Sequence, residues 1–156
     1  MPNPYFQFKE FTIYHDRCAM KVGTDGVLLG AWADVSGKTT ALDIGAGSGL
    51  ISLMLAQRNS LLQIESLEID PSAAEQAQEN IRNSLRFAGQ ITVHCADFTQ
   101  WGKESPRKYD LIVSNPPFFK NSLKSPSIER TAARHGDNLD SGTLIGLGAS
   151  LLADEG

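Results

Sequence analysis

The residues with the most specific chemistry are Asn115-Pro116-Pro117-Phe118, which directly follow an apolar run at 110–114. A strand cannot continue through two prolines, because proline lacks the amide donor that a sheet ladder needs. The chain therefore leaves an Asn carboxamide, rigid proline carbonyls and an aromatic ring at a sheet edge. An amino or amide nitrogen fits these groups, since its hydrogens can donate to Asn115 and to a backbone carbonyl while its plane packs against Phe118. The alternative is an ordinary turn after a strand.

A second motif, Asp43-Ile-Gly45-Ala-Gly47-Ser-Gly49, lies between a short apolar strand and an apolar helical pattern at 50–56. This is the strand-loop-helix context that a nucleotide-type cofactor requires. Glycines let the backbone approach a ligand closely and turn with positive φ, where a Cβ would clash. The Gly-x-Gly-x-Gly spacing is tighter than the dinucleotide fingerprint Gly-x-Gly-x-x-Gly and disfavours NAD.

Carboxylates end the next predicted strand, which begins at residue 63. Glu68 is the predicted ribose ligand, because an acid belongs about twenty residues after the glycine loop in such a unit. A carboxylate also accepts from both ribose hydroxyls at once. Ile69 is assigned to the same cofactor site. Asp70 precedes Pro71 and a helical pattern, so it is predicted to cap that helix with proline at the first helical position.

The tetrapeptide resembles the (Asn/Asp)-Pro-Pro-(Tyr/Phe/Trp) signature of S-adenosylmethionine-dependent methyltransferases that act on amino or amide nitrogens. The glycine motif resembles the first motif of these enzymes, and this implies that Asp43 orders the loop while the glycine backbone faces the methionine part of the cofactor. Ala96-Asp97-Phe98, after a predicted strand at 90–95, resembles their adenine site. That resemblance implies that Asp97 accepts from the adenine amino group and Phe98 packs on its face. An Asp turn with a core Phe is the alternative.

All four motifs follow successive predicted strands at their carboxyl ends, where ligands bind in an open α/β sheet. We therefore predict an α/β fold, a Rossmann-like methyltransferase sheet with helices on both faces. One domain is expected over 1–156, with a small β extension and leading segment at 1–26 and the core at 27–156. Such sheets generally have more strands than the four predicted here, and the apolar helical pattern at 141–152 is followed only by a short polar end. The core is expected to be truncated at the C-terminus.

The N-terminal extension indicates which kind of methyltransferase the sequence resembles. The alternation at 6–13 predicts a strand, with which 14–21 could pair as a small ribbon. Thr24 or Asp25 is predicted to cap the helix that follows. Lys21-Val-Gly-Thr24-Asp-Gly resembles the segment before the glycine loop in the bacterial tRNA (adenine-N6)-methyltransferase family, which modifies the adenosine 3′ to the anticodon of a valine tRNA.

This second resemblance extends to residues 129–135, which include an Ala-Arg-His element. It implies S-adenosylmethionine as cofactor, tRNA as partner, and Lys21 and Thr24 beside the cofactor. Phe118 stands where the family more often has Tyr, so stacking is kept and a hydroxyl is lost. The catalytic residues are assigned as Asn115, Pro116, Pro117 and Phe118, and Asn115 is also assigned to the cofactor site. Substrate contacts are assigned to Phe118, Phe119, Lys120, Lys124, Arg130 and Arg134.

Overall charge is a weak match to nucleic acid, because the net charge is −4 and the isoelectric point is near 5.3 while phosphate contacts usually dominate such binding. Residues 103–134 are locally basic, with seven cations against three acids. We expect these cations around the substrate mouth, with a solvated basic surface as the alternative. The cations are Lys103, Arg107, Lys108, Lys120, Lys124, Arg130 and Arg134.

Other functions are disfavoured by composition. The cysteines Cys18 and Cys95 lack metal-ligand spacing, and the histidines His15, His94 and His135 form no cluster, so no metal is expected. The sequence has no signal peptide and no apolar run of about 18 residues, which predicts a cytoplasmic enzyme with no membrane partner. At 41% hydrophobic residues the chain can bury a core.

Three alternatives within and beyond the class stay open. Release-factor glutamine methyltransferases share an Asn-Pro-Pro-Tyr motif but carry a helical N-terminal domain. Ribosomal guanine-N2 methyltransferases also use Asn-Pro-Pro, often with a duplicated domain. A degenerate fold that only binds a partner is disfavoured, because the cofactor acids and the Asn are all present. The sequence does not define the oligomeric state.

Overall fold

The computed structural model describes residues 3–105, 107–117 and 139–156, which contain two sheets. The N-terminal ribbon pairs β1 (Tyr5–Gln7) with β2 (Thr12–Tyr14) in antiparallel fashion. The central sheet is parallel throughout and has the order β5-β4-β3-β6. Its strands are β3 (Thr40–Ile44), β4 (Gln63–Glu68), β5 (Ile91–Cys95) and β6 (Leu111–Ser114).

Helices cover both faces of this sheet, which confirms the predicted fold class. The described helices are α1 (Thr24–Trp32), α2 (Leu50–Arg58), α3 (Pro71–Asn83), α4 (Phe98–Glu104) and α5 (Ser141–Leu151), with a short 3-10 helix at Ala88–Gln90. Within the described ranges, no helix has the length and apolar character needed to cross a bilayer.

Two apolar clusters form the core, one on each face of the sheet. The larger cluster joins β3, β4 and β5 to α2, α3 and the ribbon, with Leu53, Ile64 and Ile13 fully buried. The smaller cluster lies under α4 and α5 and contains Leu42 and Leu67. Alternate residues of one strand thus face opposite clusters, as expected for a parallel sheet buried on both sides.

The strand register aligns the carboxyl ends. Ile44 of β3 pairs with Leu67 of β4 on one side and with Ser114 of β6 on the other. The next residue on each strand is Gly45, Glu68 and Asn115. Residues from three predicted motifs therefore emerge side by side at one edge of the sheet.

The N-terminal ribbon differs from the prediction. Residues 6–13 do not form one strand but turn back on themselves, with the Phe8 amide donating to the Phe11 carbonyl over 2.9 Å. Phe6 therefore pairs with Ile13 and Tyr5 with Tyr14. The exposed polar residues in the middle of the run form the turn, and the segment after Tyr14 is not a strand.

The first helix also begins differently. Gly23 occupies the N-cap of α1 with no side-chain capping bond, so neither Thr24 nor Asp25 caps this helix. Asp25 lies in the first turn, where its charge complements the helix dipole. The predicted cap of α3 is confirmed, because Asp70 accepts from the Ser72 amide over 2.9 Å with Pro71 at the first helical position.

The segment after the ribbon is fastened to α3 by two buried amides, Gln76 and Asn80, each 1% exposed. Asn80 Oδ1 accepts from the Tyr14 amide over 3.0 Å, and Asn80 Nδ2 donates to the carbonyls of Tyr14 and Ser48 over 2.8 Å each. Gln76 accepts from the Arg17 amide over 3.0 Å. The Asn80 side chain thus joins the ribbon, α3 and the glycine loop.

The packing of α1 on α2 generates a stability prediction. A Cβ on Gly30 would lie 2.7 Å from Met54 Sδ and 2.9 Å from Met54 Cβ. Gly30→Ala should therefore lower the free energy of unfolding by about 1–3 kcal/mol, as overpacking does. Chemical denaturation of the variant and the wild type measures this difference.

Gly146→Ala is the matched control for this substitution. Gly146 is exposed within α5, and a Cβ there would meet nothing described within 4 Å. The same change should raise the free energy of unfolding by about 0.5–1 kcal/mol, since alanine is the better helix former. Equal effects at both sites would contradict the close helix packing.

Candidate active site

The glycine loop after β3 is shaped by the end of β4, through one backbone carbonyl and one side-chain carboxylate. The amides of Gly45 and Ala46 both donate to the Leu67 carbonyl over 2.9 Å. The Gly47 amide donates to Glu68 Oε2 over 2.8 Å. Gly45 and Gly47 have φ of +73° and +54°, a region that residues with a Cβ rarely adopt. The sequence therefore needs glycine to make this turn.

These glycines also leave space beside the loop. A Cβ on Gly45 or Gly47 would meet nothing described within 4 Å. A Cβ on Gly49, in contrast, would lie 3.4 Å from Ala77 Cβ in α3. Gly49 therefore serves packing, whereas Gly45 and Gly47 border open space in which a ligand can approach the backbone.

Asp43 has a different local role from the one expected. It does not bond the loop amides but is fully buried and accepts from Ser52 Oγ of α2 over 2.7 Å. Because Ser52 donates its only proton to Asp43, Ser66 must donate to Ser52 across their 2.7 Å contact. The loop amides do not bond Asp43 because the strand register brings them to Leu67 and Glu68 instead.

The Asp43 carboxyl is electrostatically unusual. Its Oδ1 has no hydrogen-bond partner among the described residues. Burial raises its pKa from 3.8 to about 6, against the lowering effect of the Ser52 hydrogen bond, and the nearby Glu68 charge adds to the rise. A positive charge above the loop would favour the ionised carboxylate.

Glu68 lies at the end of β4 as predicted, and its carboxylate bridges two backbone amides. Oε2 accepts from Gly47, and Oε1 accepts from Asp70 over 2.9 Å. Each carboxylate oxygen has a second acceptor site, so further donors such as hydroxyls can still bind. Ile69 is half-buried beside it. The ribose role of Glu68 stays a prediction.

Asp97 and Phe98 have the structural roles that were the alternative to adenine binding, an Asp turn and a core Phe. Asp97 Oδ1 accepts from the amides of Thr99 and Gln100 over 2.6 and 3.2 Å, which caps α4. The Phe98 ring is 5% exposed and packs in the smaller apolar cluster. The structure thus gives both residues a structural role, and their contact with adenine stays a prediction.

Asn115 emerges beside the start of two helices. A Cβ on Gly26, in the first turn of α1, would lie 3.5 Å from Asn115 Nδ2 and 3.3 Å from Leu50 Cδ2 at the start of α2. Ser114 Oγ donates to the Ile44 carbonyl over 2.8 Å and ties the strand end to β3. The carboxamide therefore lies beside the starts of α1 and α2, and Asn115 leaves the sheet level with Gly45 at the carboxyl edge, the rim of the glycine loop.

Some of the remaining predicted site residues are described by the structure and others are not. Pro116 is half-buried and Pro117 is exposed, while Lys21 and Thr24 are exposed near the start of α1. The other predicted contacts lie outside the described residues, namely Phe118, Phe119, Lys120, Lys124, Arg130 and Arg134.

The predicted basic substrate mouth is wrong for two of its members. Arg107 and Lys108 precede β6 and so lie at the amino edge of the sheet, opposite Asn115. There Arg107 pairs with Glu65 over 3.0 Å, and Lys108 donates to the Ser150 carbonyl. Closeness in sequence to Asn115 misled the prediction, because the length of the strand separates the two edges.

Histidines and cysteines have local roles in the described part of the chain. His15 Nδ1 accepts from the Val22 amide over 3.1 Å, so Nε2 is the donor to the Asn3 carbonyl over 3.0 Å. This agrees with the expected packing role. Among the described residues, no three His, Cys, Asp or Glu side chains are grouped as a metal would need, and Cys18 and Cys95 are free thiols.

The sequence motifs did not predict the contacts of Gly26 and Asn80. Gly26 is a small residue in a helix whose closeness to Asn115 depends on tertiary packing. Asn80 carried a usable signal, because Gln76 and Asn80 are polar residues one helical turn apart among Ala73, Ala77 and Ile81. Polar residues on a buried stripe indicate a hydrogen-bonded partner.

Comparisons with known proteins agree with this geometry. The tRNA1(Val) (adenine(37)-N6)-methyltransferase of Parabacteroides distasonis is 53% identical over the whole chain, which covers 65% of that protein. The enzyme of the same name from Escherichia coli O1:K1 is 49% identical over 97% of the chain and 62% of that protein. The chain thus spans somewhat less than two thirds of the length of these relatives.

Solved structures share the fold. An O-methyltransferase from Bacillus cereus in complex with SAH has a TM-score of 0.62 at 18% identity, with 88% of this chain and 56% of that chain covered. A SAM-dependent methyltransferase from Thiobacillus denitrificans in complex with S-adenosyl-L-homocysteine has a TM-score of 0.62 at 20% identity, with 90% and 48% covered.

The family model described as "methyltransferase small domain" matches residues 22–144, which include the glycine loop, Glu68 and Asn115. This match spans most of the chain. The chain belongs to the methyltransferase small domain family.

Proposed function

We propose that this chain carries the active site of an S-adenosylmethionine-dependent methyltransferase that modifies the adenosine N6 3′ to the anticodon of a valine tRNA. The observation that carries the proposal is the position of Asn115 at the rim of an open glycine loop. The names of relatives about half identical to the chain support the substrate. A tRNA substrate would place the protein in the cytoplasm.

The residues present fit the cofactor. Gly45 and Gly47 leave room for the methionine part, since a Cβ at either position would meet nothing described. Glu68 offers carboxylate acceptors for a ribose. The buried Asp43, with its partnerless Oδ1 among the described residues, suits a cationic ligand. When bound, S-adenosylmethionine supplies a methyl group activated by its sulfonium.

The chain's own residues position the acceptor amine. Asn115 Nδ2 lies against Gly26, which leaves Oδ1 to accept one amino hydrogen, and the Pro116 carbonyl accepts the other. Both acceptors draw the nitrogen out of conjugation with its ring, so that its lone pair becomes available. Neither oxygen is a strong base, and none is needed, because the amine proton becomes acidic only after transfer. Positioning supplies the acceleration.

The direct test incubates the protein with methyl-labelled cofactor and separate pools of tRNA, ribosomal RNA and release factor. We expect label in tRNA alone, in N6-methyladenosine after nuclease digestion and mass spectrometry. Label in ribosomal guanine or in a release-factor glutamine would contradict the tRNA substrate and identify that RNA or protein as the substrate. No transfer, together with no cofactor binding, would indicate a binding module.

Asn115→Ala should lower kcat about a hundredfold, because the amine loses its positioning contact. The cofactor dissociation constant should stay near the wild-type value, since the glycine loop is unchanged. Calorimetric titration of cofactor beside a methyl-transfer assay measures both quantities. Asn83→Ala, at the exposed end of α3, is the control and should match wild type; an active Asn115→Ala protein would refute the role.

Gly45→Ala should weaken cofactor binding about tenfold or more. Gly37→Ala is a closely matched control, because Gly37 has φ of +68°, Gly45 has φ of +73°, and neither has a described atom within 4 Å of the added Cβ. Both changes should cost about 1–2 kcal/mol of stability through backbone strain. Equal cofactor affinities for the two variants would place the binding surface elsewhere.

Asp43 generates a pH prediction. Its pKa of about 6 lies above the ordinary 3.8, so the folded protein holds this proton more tightly than the unfolded chain. The free energy of unfolding should therefore fall as pH rises from about 4 to about 6, by at most about 3 kcal/mol. Above about pH 6, the Asp43 carboxyl should cause no further change. Urea denaturation across this window should show the decline in wild type.

Asp43→Asn stays neutral and should lack this part of the pH dependence, so the difference between the two proteins isolates Asp43 from other carboxyls. The affinity of wild type for the cationic cofactor should rise through pH about 6, because the carboxylate that attracts it forms there. Parallel pH profiles for the two proteins would contradict this role of Asp43.

A further inference from the structure

We infer that Tyr5 and Tyr14 form a stacking platform for an unpaired RNA base beside the target adenosine. This inference deepens the proposed function and rests on it. The two tyrosines face each other across the ribbon, with ring centroids 5.7 Å apart and an interplanar angle of 49°. They are 40% and 44% exposed.

The ribbon presents this pair on its outer face. Side chains alternate along a strand, so the neighbouring pair, Phe6 and Ile13, points the other way. Ile13 is fully buried in the larger apolar cluster, and the Phe6 ring packs 4.8 Å from the Phe8 ring. Ile13 anchors the inner face of the ribbon, where the Phe6 ring is itself 47% exposed, and the tyrosine face is left to solvent.

The platform lies close to the cofactor loop. Asn80 Nδ2 donates to the carbonyls of both Tyr14 and Ser48, so these carbonyls are within two hydrogen-bond lengths of each other. Ser48 belongs to the glycine loop. The chain then runs from Tyr14 into α1, whose Gly26 borders Asn115. His15, the residue after Tyr14, accepts from the Val22 amide just ahead of α1, so the open end of the ribbon lies near the start of the helix that borders Asn115.

The platform is also held in place before any ligand arrives. Asn80 fixes both backbone groups of Tyr14, and His15 bonds the Val22 amide that follows. A ring already ordered loses little entropy when a base stacks on it. Asn80 is thus a positioning residue that sets the distance between platform and loop.

The surrounding charges permit an approaching phosphate chain. Glu79 pairs with Arg17 and Glu10 with Arg86, which reduces the repulsion from these acids. Lys9 and Lys21 are exposed on either side of Tyr14 in the sequence. Residues 3–23 carry three cations against the acids Glu10 and Asp16, a net charge of +1 compared with −4 for the whole chain.

RNA chemistry explains why a base would occupy the platform. An amine reached by Asn115 must leave its stack, and this exposes the faces of neighbouring bases. Tyrosine rings bind such faces with little dependence on sequence. A platform near the rim would receive a neighbouring nucleotide while the target base enters the site.

The test compares Tyr14→Leu with Tyr14→Phe in steady-state methylation of tRNA, beside calorimetric titration of cofactor. Tyr14→Leu should raise KM for tRNA about tenfold, with kcat and the cofactor dissociation constant near wild type. Tyr14→Phe keeps the ring and should restore most of the RNA affinity. Tyr5→Leu provides a second variant, and denaturation curves check that each protein is folded.

Trp32→Leu is the matched control, because Trp32 is an exposed ring, 87% exposed, at the far end of α1. The platform would be overturned if KM for tRNA stayed unchanged in both tyrosine variants, or if it rose equally in Trp32→Leu. The proposed function would still be supported in that case, because the wild type methylates tRNA. A cofactor affinity that falls with KM would also overturn the platform, since the ribbon would then act through the loop. Wild type that methylates no tRNA would overturn both.

Discussion

The parallel register of β3, β4 and β6 is the constraint on which the site depends. Because Ile44 pairs with both Leu67 and Ser114, the glycine loop, Glu68 and Asn115 leave the sheet at one level. A slip of one residue in β6 would turn Asn115 to the other face of the sheet. The backbone hydrogen bonds of the sheet thus bring the parts of the site together.

Buried polar side chains then fix what the register brings together. Asp43, Ser52 and Ser66 form a chain of hydrogen bonds beneath the loop, and Asn80 joins the loop to the ribbon. Such groups are costly to bury unless they are paired. Asp43 remains only partly satisfied among the described residues and has a raised pKa, which leaves it responsive to a cation above the loop.

Local sequence signals predicted much of this arrangement. Glycine spacing, the acid after β4 and the proline stop after β6 are short-range patterns, and each lies at a strand end as predicted. The Asp70 cap was equally local. These signals succeed because they describe the backbone geometry of their own residues.

What the sequence did not predict depends on contacts between distant residues. Whether 6–13 forms one strand or two is decided by packing on α3, and the Asp43 partner is set by where α2 lies. Arg107 and Lys108 were assigned to the wrong edge, because closeness in sequence does not give position along a strand. The Gly23 cap was missed because glycine is itself an acceptable N-cap residue, about as favourable as threonine.

The most direct test of the central claim is a crystal structure with S-adenosylhomocysteine and an adenosine nucleotide bound. We expect the adenosine amino nitrogen within hydrogen-bond distance of Asn115 Oδ1, with the cofactor sulfur facing it from the side of Gly45 and Gly47. An Asn115 carboxamide turned away from both ligands, or a sulfur bound at another edge of the sheet, would contradict the account.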